Sequence, residues 1–83
     1  MSDLGEIREV LAGVTEQLGS AYQHAEAARD RIADAVAVLD GLGEQHTTPL
    51  LPPELVRAAD ELERGLAFIT GGVAAVADIS ARI

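Results

Sequence analysis

The chain has 83 residues, with fourteen Asp and Glu against six basic residues, no Cys and a net charge of −8. One domain is the limit at that length, and its core is marginal unless a metal or a second chain supports it, since disulfides are excluded. The acidic balance repels nucleic acid and anionic membrane surfaces, so the expected partner is protein, with no nucleic acid.

At the N-terminus "MSDLGEIREV" has no basic segment followed by an apolar run. No Sec signal peptide is expected, which implies a cytoplasmic location with signal-less export left open. Every basic residue is Arg, and Ala, Gly, Val, Leu, Asp and Glu abound, the usage of a GC-rich and hence actinobacterial genome. From Leu4 the apolar positions Leu4, Ile7, Leu11, Val14, Leu18, Ala21, Ala25, Ala28, Ile32, Ala35, Leu39 and Leu42 alternate in steps of three and four, the a and d pattern of a heptad. This predicts one long helix over about residues 3–41, with Asp3 as cap, Glu6 three residues on, and Gly41 or Gly43 as the left-handed stop.

The segment "GLGEQHTTPLLPP" predicts a loop over about 42–52. Pro53 suits the first turn of a second helix over about 53–81, with Glu54 at its positive end. Its periodic positions are Leu55, Ala59, Leu62, Leu66, Ile69, Val73, Val76, Ser80 and Ile83. Arg57, Asp60, Glu61 and Arg64 lie three and four apart on its outer side, spaced to pair.

Within that helix "GLAFITGGVAAVADIS" opens with thirteen uncharged residues, Gly65 to Ala77. A membrane-crossing helix needs about 20 apolar residues, so no membrane span is expected. A phosphate loop needs a preceding strand and a Lys or G-x-G-x-x-G spacing, and neither is present. The reading that remains is a packing seam: Gly65, Gly72 and Val73 on one helix against Ala21, Ala25 and Ala28 on the other, small enough for the backbones to approach closely.

The fold class expected is therefore all-α: a single domain over 1–83 forming an antiparallel two-helix hairpin, coiled-coil-like, that dimerises into a four-helix bundle. In antiparallel register Leu62 lies near Ile32, Ile69 near Ala25 and Val76 near Leu18, and the second helix ends opposite about Leu11 or Val14. Leu4, Ile7, Val10, Leu11 and Val14 then form an overhang for a partner, because each large aliphatic side chain left exposed forfeits about 1.5 to 3 kcal/mol. Val10, Tyr22, Val36 and Val38 widen the apolar face beyond a two-helix seam.

Chemistry-bearing residues are sparse. His24 has no second His and no H-E-x-x-H or E-x-x-H spacing, and His46 has only Glu44 beside it, too few ligands for a site, so no metal or cofactor is expected. Ser2, Ser20, Ser80 and the threonines lack a His or Lys placed to activate them, which points away from an enzyme. Glu26, Asp30 and Asp34 lie four apart and read either as a solvated face or as a docking stripe for a basic helix or a divalent cation.

Two long helices, short length, an acidic surface and few aromatics give the chain an architecture that resembles the helical hairpins of the WXG type exported by specialised secretion systems. The turn holds no Trp-x-Gly, and "YQHAE", Tyr22 to Glu26, matches the spacing of that family's Tyr-x-x-x-Asp/Glu signal but lies in the first helix. Two functions follow as expectations. One is a non-enzymatic interaction or assembly protein that self-associates as a dimer or docks a helical protein partner. The other, implied by the resemblance, is an exported effector or partner of a type VII-like secretion system.

Overall fold

The computed structural model describes residues 3–83; Met1 and Ser2, and with them the reading of Ser2 as unactivated, lie outside the described residues. Among these residues the fold is two helices and no strand: α1 spans Leu4–His46 and α2 spans Pro53–Arg82. The Asp3 carboxylate accepts the Glu6 backbone N–H at 2.8 Å and satisfies one of the orphan donors of the first turn. At α2, Pro52 holds an extended conformation and Pro53 fills a first-turn position where a missing N–H costs nothing.

The expected end of α1 near residue 41 is corrected by the structure, which carries the helix on to His46. Neither Gly41 nor Gly43 is left-handed; Thr47 is, with φ 54° and ψ 21°. The Gly43 carbonyl accepts the N–H of Thr47 and, at 3.2 Å, that of Thr48, which closes the last turn and reverses the chain. Gly43 contributes space instead of positive φ: a Cβ there would stand 2.9 Å from the Thr48 carbonyl oxygen and 3.4 Å from the Leu50 nitrogen. A glycine can thus mark a helix end from inside the helix, by letting the returning chain lie against it.

With α1 so extended, only Thr47 to Pro52 link the helices, and the hairpin is a rod of 65 × 17 × 15 Å. Its length is that of α1 alone, whose 43 residues at about 1.5 Å each give about 65 Å. Two contacts from α1 to α2 fix the antiparallel register: Arg29 to Glu63 at 3.1 Å, and Arg8 to the carbonyl of Ile83. They are mutually consistent, since Arg8 lies twenty-one residues before Arg29 and Ile83 twenty after Glu63.

The seam on α2 follows the periodic series. Leu55, Ala59, Leu62, Leu66, Ile69, Val73, Val76, Ser80 and Ile83 are all at least half-covered, and Leu66, 4% exposed, is the one buried residue among those described. On α1 the heptad series is corrected midway. Leu11, Val14 and Leu18 are half-buried as expected, but Ala21, Ala35 and Leu42 are exposed and Tyr22, Val36 and Gly43 stand in their places. The step from Leu18 to Tyr22 adds one residue to the alternation and makes Leu11 to Tyr22 an eleven-residue repeat. A straight helix drifts about 20° per heptad from a 3.5-residue pattern, and such an insertion restores the apolar stripe to the partner. The larger Tyr22 and Val36 then bury more apolar surface than Ala21 and Ala35 would.

The expectation of no membrane span is also corrected. α2 contains an 18-residue window of mean hydropathy 1.2 with no more than two charged residues, only 6% of it buried, and by length and composition it is long and apolar enough to cross a membrane. The uncharged run of thirteen set too short a limit, because the helix continues past it on both sides and a bilayer-spanning helix tolerates flanking charges that reach the interface.

Candidate functional site

Each residue in an α-helix turns by about 100°, so the positions flanking the seam fall on two opposite broad sides of the hairpin. On one side Arg29 lies across the seam. Its Nη1 donates to Glu63 Oε1 at 3.1 Å, its Nη2 and Nε donate to Asp30 Oδ1 at 3.1 and 3.2 Å, and Glu26 Oε2 stands 3.9 Å from Nη2. Hydrogen bonding to Asp30 raises the Arg29 pKa above its ordinary value; desolvation opposes the rise, and the charges of Glu63 and Asp30 add to it. The acidic stripe is thereby compensated within the chain at Glu26 and Asp30, while Asp34 makes no ion pair among the described residues. Arg8 lies on this same side.

On the opposite side α1 carries no carboxylate from Val10 to Leu42; the charges there include Arg31, one heptad before Val38, and, on α2, Glu61, one heptad before Phe68. Its large residues are exposed: Phe68 at 71%, Val10 at 66%, Val38 at 61%, and Leu42 and Ile79 to a lesser extent. Phe68 stands between Gly65, Gly71 and Gly72, three of its four helical neighbours at spacings of three and four, the fourth being Arg64, so its ring projects from a surface with few side chains around it. Nothing singled it out in the sequence, since it falls outside the periodic series; the clustering of glycines at those spacings was the signal available.

The residues expected at the overhang divide in two. Leu4, Ile7 and Val10 are exposed, whereas Leu11 and Val14 are half-buried against α2. Those expected at the tight seam divide likewise. Ala25, Ala28, Gly65, Gly72 and Val73 are half-buried, and Ala21 is exposed. A Cβ at Gly65 or Gly72 would meet nothing within 4 Å, so the two backbones are not pressed together at either glycine. His24 and His46 are both exposed, and no group of three metal-binding side chains occurs among the described residues.

The surface has one further concavity of note, an open cleft of about 300 Å³ between the last turns of α1 and the segment Pro49 to Leu51. Its charged lining is Asp40 and Glu44, without a facing cation or donor cluster to orient a ligand. On the outer side of α2, Arg64 pairs with Glu61 at 3.8 Å and Arg82 with Asp78 at 3.5 Å, exposed contacts of the kind worth a few tenths of a kcal/mol, about 0.2 to 0.5. Comparison with known proteins finds no matching family model, no similar curated protein and no matching solved structure.

Proposed function

We propose that the protein is a non-enzymatic helical assembly module whose hairpin pairs with a second copy to form a four-helix bundle. The observation that carries this reading is a deficit of burial. The chain exposes 6144 Å², whereas a compact protein of 8.6 kDa exposes about 4,700 Å², an excess of about 1,400 Å². Two copies that each bury the excess would form an interface of about 2,900 Å², within the range of obligate homodimers. A single seam leaves the remaining apolar flanks of both helices in water, and a second hairpin covers them.

Sedimentation equilibrium over about 1 to 100 µM tests the proposal: a dimer mass with a concentration-dependent melting temperature is expected, and a monomer throughout overturns it. A second reading has its own observation, the apolar character of α2, which suits a membrane-embedded helix. Flotation with zwitterionic vesicles separates the two readings: the bundle stays with the aqueous fractions and an embedded α2 floats. The export reading rests on the hairpin architecture alone, and detection of the chain in culture medium of its source organism tests it.

A further inference from the structure

From the placement of the exposed apolar residues we infer that the second copy packs on the side that carries Val10, Val38 and Phe68 in antiparallel orientation, with the two-fold axis crossing the rod at the level of Phe68, so that each helix lies over its own counterpart. This rests on the self-association proposed above and specifies its surface and direction.

Three observations converge on it. The first is level. Phe68 lies five residues beyond Glu63 and is therefore level with the residue five before Arg29, which is His24. The second is symmetry about that level. His24 is midway between the exposed Val10 and Val38, and the midpoint of the exposed Ile7 and Leu42 falls between His24 and Ala25. A two-fold axis there sets the uncovered N-terminal turns of one copy on the exposed turn-proximal end of α1 in the other, and sets the two Phe68 rings together at the centre. Isologous contact of this kind needs a self-complementary patch, and a projecting ring beside Gly65, Gly71 and Gly72 supplies both the projection and the space to receive it. The third is charge. Each copy carries a net charge of −8, and between Val10 and Leu42 the Phe68 side of α1 has no carboxylate whereas the Arg29 side carries Glu26 and Asp30, so the Phe68 side repels a second copy less.

The chain has no cysteine, so a single spin label at Val10→Cys reports the arrangement without further change. Antiparallel packing of α1 on its counterpart places the two labels as far apart as Val10 is from Val38, twenty-eight residues at about 1.5 Å each, or about 42 Å. A dimer with a label separation under about 25 Å has the hairpins side by side in parallel and overturns the inference while leaving self-association standing; a monomer defeats both. A second variant guards against a local effect of the label. Phe68 is 71% exposed in the hairpin, so Phe68→Ser leaves the helical content unchanged and is expected to weaken the dimer at least tenfold. A Phe68→Ser protein that dimerises as tightly as the parent, or a parent protein that floats with zwitterionic vesicles as a monomer, overturns the assignment of this side to a second copy.

Discussion

α1 and α2 line the same seam but hold it in different ways. α2, thirty residues long, keeps one alternation of three and four from Leu55 to Ile83 and contains the only buried residue among those described, Leu66. α1, forty-three residues long, keeps its alternation only as far as Leu18 and then shifts by one position, so that Tyr22 and Val36 are half-buried where Ala21 and Ala35 are exposed. The difference follows from side-chain size: α1 offers Tyr22 beside Ala21 and Val36 beside Ala35, and turning the larger member of each pair inward buries more apolar surface. The shorter helix concentrates the core, and the longer one supplies the exposed surface at both ends.

Three substitutions probe this contrast, read by chemical denaturation at a fixed protein concentration. Leu66→Ala, at the centre of the regular helix, is expected to cost about 2 to 4 kcal/mol, the range for emptying a buried leucine site; a loss below 1 kcal/mol would show that the core is not centred there. In the shifted part of α1, Val36→Ser is expected to cost about 1 to 3 kcal/mol through lost burial and an added hydroxyl. Its neighbour Ala35→Ser stays within about 0.5 kcal/mol, as at an exposed position. Reversed magnitudes would restore the uninterrupted heptad and abolish the distinction between the helices.

Glycines sharpen the same contrast with opposite signs. Gly43→Ala puts a methyl 2.9 Å from the Thr48 carbonyl and is expected to destabilise by about 1 to 3 kcal/mol, because backbone must move. In α2, Gly71→Ala and Gly72→Ala meet nothing within 4 Å and are each expected to stabilise the hairpin by about 0.5 to 1 kcal/mol by narrowing the unfolded ensemble. A loss at Gly72 that grows with protein concentration would mean that the dimer, and not the hairpin, needs the space. The smallest expected gain is at Thr47, a β-branched residue held at φ 54°; Thr47→Gly relieves that conformation by about 1 kcal/mol less whatever its hydroxyl bond to the His46 carbonyl contributes.

The hairpin was legible in the sequence because its main determinants are local. The alternating apolar steps of α2, Asp3 with Glu6, and Pro53 each act within a turn or two, and the structure places them as expected. The end of α1 was harder to read, because the space Gly43 gives depends on where Thr48 and Leu50 return, which no local pattern encodes. The shift at Tyr22 was hidden for a related reason: with Ala21, Tyr22 and Ala25 all compatible with an apolar face, only packing against the partner helix decides which of them turns inward. Arg29 illustrates the reach of long side chains. Its partner Glu63 is thirty-four residues away, and nothing in the spacing of either residue announces the pair.

The short connection between the helices also sets an order in which the molecule assembles. Contacts beside Thr47 to Pro52 close small loops, whereas the contact from Arg8 to Ile83 spans 75 residues and, formed directly, would cost about 2 kcal/mol more in chain entropy. The hairpin therefore zips from its turn towards its open end, each seam residue bringing the next pair within reach. Amide protons near Leu39 and Ala59 are expected to exchange more slowly than those near Leu11 and Ile79, because the free ends of the rod open before its closed end.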